Sequence, residues 1–255
     1  MKIIYSKTER VADRTTSITA SSTNSAYPVT NLSDDNAGTV WRSATGTPAI
    51  ANRTLTVALP AGVNNAIGLF GLNSDTVVVD VKNTAESTTY FTETFDLTPA
   101  SPARTWNRVW KEWTSNGLAL HVVITLTAPA TATYHECAEV VAGAVVTLPD
   151  PQYGLKQSRE DFSVKQELAG GGFYIHDGAK PRQFDLSWNM LRDTIYDDLD
   201  EIFEEMGSKP LAMLLSDNLN NDMKWCGYFH ITDSPQANHA SKTMSTVTCG
   251  IREAC

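Results

Sequence analysis

Side chains able to do chemistry are thinly placed along this chain of 255 residues. Five histidines occur, His121, His135, His176, His230 and His239, and none stands in the H-E-x-x-H or H-x-H spacing that brings two imidazoles to one metal. His135-Glu136-Cys137 juxtaposes three groups suited to ligation or acid–base work. In a strand, however, His135 and Cys137 share one face and Glu136 takes the other. Gly170-Gly171-Gly172 lacks a following Lys-Ser/Thr and reads as a turn, not a phosphate cradle. No G-x-S-x-G is present, so the chain is expected to be no enzyme and to need no cofactor. Cys137, Cys226, Cys249 and Cys255 form no C-x-x-C pair, and the spacing of the last two is not a usual zinc spacing. They read as reduced thiols of a cytoplasmically folded protein. The alternative, a zinc or iron–sulfur site, requires Cys137 and Cys226 to converge on the C-terminal pair.

These residues must be positioned by a chain that is 42% apolar and 19% charged, a composition that packs a core. The net charge of −9 argues against a broad phosphate-binding surface and hence against nucleic acid as a partner. The N-terminus has no apolar stretch of signal-peptide length, and the longest apolar run, Val140–Leu148, is too short to span a bilayer. A soluble protein without membrane insertion is expected.

Length alone allows one large β-domain or two modest ones. Residues 1–148 carry short apolar runs between turn residues, the texture of a β-sandwich. Leu55, Val57 and Leu59, for example, alternate with Thr54, Thr56 and Ala58. Two prolines and a glycine in Leu148-Pro-Asp-Pro-Gln-Tyr-Gly154 mark a break. Residues 149–255 then read as an α+β module of antiparallel strands with one long amphipathic helix near 189–206. Leu191, Ile195, Leu199, Ile202, Phe203 and Met206 line one face of it, and Gly207 stops it. Its other face is acidic. Carboxylates late in a helix oppose the macrodipole, so Glu201, Glu204 and Glu205 either form a solvated face or contact a basic neighbouring subunit.

The segment Ala26–Ser43, with Asn31, Leu32, Asp34, Thr39 and Trp41, resembles the turn-rich stretch that leads into galactose-binding-like jelly rolls of the discoidin and carbohydrate-binding-module type. Ala66–Asn73 and His121–Leu126 are similar to later core strands of those modules, and the resemblance covers about residues 15–148. The second module, with Gly170-Gly-Gly-Phe-Tyr174, Phe184-Asp-Leu-Ser-Trp188, Lys224-Trp-Cys-Gly-Tyr-Phe229 and Ile251-Arg-Glu253, resembles the C-terminal part of minor tail proteins of long-tailed bacteriophages. The pairing implies a structural component of the virion at the tail tip or baseplate. Such a protein is made in the host cytoplasm, is oligomeric, and has other tail proteins as partners and a host surface glycan as a further one. The alternative is a carbohydrate-binding module or receptor-binding adhesin, and a glycan-degrading enzyme is the remaining reading.

Two further site expectations accompany the resemblance. Trp106, Val109, Trp110 and Trp113 follow helical spacing. They either cover the sandwich and seal the junction between the modules, or Trp106, Trp110 and Trp113 with Arg108 form a glycan platform. Asp34, Asp35 and Asn36 could offer oxygen ligands to a structural calcium, as turns at this place do in some relatives, although they lack the spaced acids of a calcium loop.

Overall fold

The computed structural model describes residues 1–45, 52–98, 107–127, 132–151, 156–167, 173–190, 194–207, 209–216, 225–241, 244–254. It is mainly β, with several antiparallel sheets and one α-helix among the described residues. The chain divides into two compact units, Met1–Pro149 with Pro210–Tyr228, and Asp150–Lys209 with Phe229–Cys255. A single cut after residue 148 does not anticipate the return of Pro210–Tyr228 to the first unit.

In the first unit, five strands form one sheet in the order Ser17–Ala20, Arg53–Leu59, Leu120–Thr127, Thr76–Asn83, Thr89–Asp96. Its inward residues repeat every second position, Leu55, Val57 and Leu59 beside Val122, Ile124 and Leu126, and then Val77, Val79 and Val81. They share one apolar core with Ile67, Leu69, Val109, Val140 and Ala142 of a three-stranded sheet, Glu139–Gly143, Ala66–Phe70, Arg108–Glu112. Two sheets enclosing one core make a β-sandwich. Lys111 of the smaller sheet pairs with Glu93 of the larger and lies 5.1 Å from the Phe91 ring.

Two strands of the smaller sheet are buried on both sides. Ala66–Phe70 and Glu139–Gly143 show no exposed position, as their unbroken apolar runs require. Leu211–Leu214 pairs with Lys2–Ile4, which pairs in turn with Val145–Thr147. Ala212 lies behind Gly68, and the Phe70 and Tyr228 rings stack at 5.5 Å. The N-terminal strand thus joins this third group and is not a strand of the sandwich.

Two segments depart from a simple pattern. The tryptophan-rich segment is no helix: Arg108–Glu112 is a strand paired with Ala66–Phe70. Val109 and Trp110 point to opposite sides and are both buried, so a strand with apolar groups on each face mimics the helical spacing. Tyr134–Val141 is interrupted at Ala138. Cys137 pairs with Trp41, whereas Glu139 begins a new ladder opposite Phe70. Gly71, at φ +66°, lies against Ala138 there and leaves no room for a Cβ.

In the second unit, Met244–Glu253 is flanked on one side by Arg182–Met190, which pairs outward with Lys156–Arg159. Along its other side run Phe229–Ile231 and then Gln236–Ser241. Phe184, Leu186, Trp188, Val247, Cys249 and Ile251 are buried on one face. Arg182, nearly buried, clasps Glu253 with contacts of 2.9 and 2.7 Å and lies 5.4 Å from the Phe229 ring. The helix spans Thr194–Met206 and buries Leu199 and Ile202. It starts later than 189 because Asn189 and Met190 still pair with Thr246 and Ser245. Leu191 lies outside the described residues.

Candidate functional site

The segment Ala26–Ser43 is stitched to itself before it presents anything to solvent. Leu32 and Trp41 are fully buried, the Asn31 amide donates to the Val40 carbonyl at 2.9 Å, and the Thr39 hydroxyl donates to Asp34 at 2.7 Å. Trp41–Arg42 then pairs with Glu136–Cys137. Because side chains alternate, Trp41 and Cys137 enter the core while Arg42 and Glu136 emerge beside each other. The Arg42 Nε donates to Glu136 Oε2 at 2.6 Å. Its guanidinium carbon is 4.1 Å from the centre of the Tyr27 ring and 4.6 Å from that of Tyr134.

The backbone around this cluster is fixed from several sides. Asn73 donates to the Tyr134 carbonyl at 3.0 Å and accepts from the Glu136 N–H at 2.7 Å. The Arg42 N–H donates to the Tyr27 carbonyl, and the Arg42 carbonyl accepts from Asn24. All four side chains are half-buried. Among the described residues the terminal nitrogens of Arg42 make no hydrogen bond, which leaves planar N–H donors between two aromatic rings and next to a carboxylate. Of these four, the sequence singled out Glu136 alone, within His135-Glu136-Cys137; Tyr27, Arg42 and Tyr134 were not marked. The signal was the alternation in Trp41-Arg42 and in His135-Glu136-Cys137, which sends the polar member outward.

A second polar group lies deeper in the same unit. Glu139 is buried, and its Oε2 meets no hydrogen-bond donor. Burial, and then the nearby acids Asp34, Asp35 and Asp13, push its carboxyl up to about 9. Asp35, held at φ +59°, offers its backbone N–H to Glu139 and accepts from the Tyr228 hydroxyl at 3.4 Å. Burial also raises Asp13 and Tyr228.

The residues singled out from sequence are not gathered at one place. Trp106 lies outside the described residues. Arg108 donates to the Cys226 carbonyl at 3.1 Å, Trp110 is 3% exposed, and Trp113 is half-buried and packs against the sandwich core. Trp110 therefore presents no open ring face. Glu204 and Glu205 are exposed and Glu201 is half-buried on the helix. Asp34 and Asn36 spend their oxygens on the loop itself, accepting from the Asn36 and Gly38 N–H groups and from Thr39. Cys137, Cys226 and Cys249 are buried and in no disulfide. Burial pushes Cys137 upward and Cys249 up to about 12, away from the thiolate a metal needs. Cys255 lies outside the described residues. Among the described residues no three His, Cys, Asp or Glu side chains group as metal ligands.

No family model matches the chain, and no curated protein matches it. Solved structures resemble about half of it. One is CBM32-3 from a family 31 glycoside hydrolase of Clostridium perfringens, 21% identical over 49% of this chain and 88% of that one, with a TM-score of 0.39. Another is chitosan-binding module 2, in complex with chitotriose, from the chitosanase/glucanase of Paenibacillus sp. IK-5, 16% identical over 52% and 98%, TM-score 0.39. A third is reduced XRCC1 bound to the DNA pol beta catalytic domain, 16% identical over 52% and 96%, TM-score 0.39. Most of these neighbours are carbohydrate-binding modules, and none of the three is a phage tail protein.

Proposed function

We propose that the chain is a non-catalytic glycan-recognition protein whose first unit, a galactose-binding-like jelly roll, holds a saccharide against Tyr27, Arg42, Tyr134 and Glu136. The observation that supports this reading is the Arg42 guanidinium set between two half-buried tyrosine rings on a hydrogen-bonded backbone. A pyranose has apolar C–H faces that pack on aromatic rings and hydroxyls that take charge-assisted hydrogen bonds from a guanidinium and give them to a carboxylate. The backbone bonds to Asn73 and Asn24 hold the cluster in place, so little order need be imposed on binding. On a glycan array, the full chain retains a subset of glycans, and Arg42→Ala and Tyr134→Ala weaken that binding about tenfold or more while the melting temperature stays close to that of the parent. Absence of saturable binding to any glycan, or binding indifferent to both substitutions, refutes the reading. Trp110→Ala is the contrast: loss of a buried ring costs about 3–5 kcal/mol of stability.

One observation favours a second reading, assembly with other copies or with other tail proteins in a phage tail tip or baseplate. The ribbon of Val164–Glu167 and Phe173–His176 pairs only with itself among the described residues, and Phe162, Val164 and Tyr174 there are 47%, 62% and 57% exposed. A lone two-stranded ribbon is marginal in water, and exposed apolar groups on it suit a protein partner. The acidic helix face at Glu201, Glu204 and Glu205 supplies charge to the same partner. Light scattering then gives a symmetric oligomer that Val164→Ser with Tyr174→Ser dissociates. A monomer alone and with tail proteins removes this reading.

A further inference from the structure

The polar face of the second unit's sheet carries a cavity of about 380 Å³, separate from the Arg42 cluster. Its origin lies in the strand pairing. Phe229–Ile231 and Gln236–Ser241 run one after the other along the same edge of Met244–Glu253, the first reaching Ile251 and the second starting at Thr248. Between them, the Thr232 N–H still donates to the Gly250 carbonyl at 2.9 Å, and Asp233–Pro235 then leaves the ladder and carries Asp233 and Ser234 over the sheet. Gly250 makes this approach feasible, because a Cβ there would overlap the Asp233 carboxylate and the Thr232 hydroxyl. The notch is floored by side chains that register places on one face, Lys156 opposite Asp185 and Ser187 opposite Thr248.

The chemistry of the lining selects its ligand. Asp185 and Asp233 outnumber the single ammonium of Lys156, so the cavity is one charge negative. Among the described residues Lys156 and Asp185 form no ion pair although they are cross-strand neighbours, which leaves both for a guest. The two carboxylates are too few for a metal site, and no metal-ligand group occurs here among the described residues. Hydroxyls of Ser187, Ser234 and Thr248 and the Gln236 amide supply the uncharged polar part of the lining, and Leu186, Cys249 and Gly250 complete it. Such groups pair with hydroxyls, while an uncompensated carboxylate pairs with an organic cation. We propose that this cavity binds a small polyhydroxylated molecule bearing a primary ammonium, an amino sugar, with the ammonium beside Asp185 and Asp233.

The test is calorimetric titration of the full chain with glucosamine, glucose and N-acetylglucosamine at neutral pH. Glucosamine binds saturably, and the two sugars without an ammonium bind about tenfold more weakly or worse. Asp233→Asn and Asp185→Asn each reduce glucosamine affinity about tenfold with unchanged melting. Arg42→Ala leaves it unaltered, which separates this site from the one proposed for the first unit. Equal affinity for all three sugars, no saturable glucosamine binding, or binding that both asparagine variants leave intact overturns the proposal. Glucosamine binding lost with Arg42→Ala but kept in Asp233→Asn also overturns it and assigns the sugar to the first unit.

Discussion

A carboxyl whose second oxygen faces no donor, in the company of three other acids, ties the stability of the fold to pH. Folded, Glu139 holds its proton up to about 9, whereas in the unfolded chain it releases it near 4.5. Between these values the unfolded state binds fewer protons than the folded one, so stability falls as pH rises, and below 4.5 the penalty is absent. In a chelating buffer that keeps divalent ions from neutralising the acids, the melting temperature is therefore expected to drop from mildly acidic to alkaline pH. Glu139→Gln, neutral throughout, should flatten that slope and melt higher than the parent at the alkaline end. A parent without the slope would mean that Glu139 ionises in the fold. The sequence exposed Asp34 and Asp35 as a pair, but gave no hint of Glu139. Its burial depends on a ladder partner, Phe70, that lies far away along the chain.

At the level of elements, alternation was legible wherever one face of a strand is wet. The strands at Arg53–Leu59, Thr76–Asn83 and Leu120–Thr127 agree with the pattern of their apolar residues. It misled at Arg108–Glu112, where the adjacent Val109 and Trp110 are both buried on opposite faces and so interrupt period two. Gln236–Ser241 escaped notice for the opposite reason, holding only polar residues and two alanines. Its pairing with Met244–Glu253 is set by the tertiary ladder and not by its own residues. The Arg182–Glu253 clasp joins the neighbouring strands Arg182–Met190 and Met244–Glu253 where the chain nears its end. Arg182 is 6% exposed, so Arg182→Ala removes the guanidinium from Glu253, keeping only the backbone N–H bond of residue 182 to that carboxylate, and opens space beside Phe184 and Phe229. We expect a loss of about 3 kcal/mol in chemical denaturation. A change under about 0.5 kcal/mol would show that the pair is solvated and dispensable.

At the scale of the whole chain, the break near Pro149 is written in prolines, but the excursion of Pro210–Tyr228 is not, because nothing local marks a strand as belonging with the first residues of the chain. Lys2–Ile4 needs Leu211–Leu214 on one side, and the Ala66–Phe70 strand needs Ala212 and Tyr228 behind it. A fragment of residues 1–149 is accordingly expected to be less stable than the same unit within the full chain, to bind a hydrophobic dye, and to regain order when the 210–228 peptide is added. A fragment that melts as high as the full chain would show that the missing segment contributes nothing to the first unit.

Leu211–Leu214 beside Lys2–Ile4 also bears on how this protein can be taken apart and reused. A sandwich of this kind invites transplantation as a cassette, cut at its visible boundary and fused to another protein. Here the cassette is not contiguous in the gene: a faithful graft must carry a second, distant piece, or replace it with a designed strand that supplies the same backbone edge and the same apolar cover.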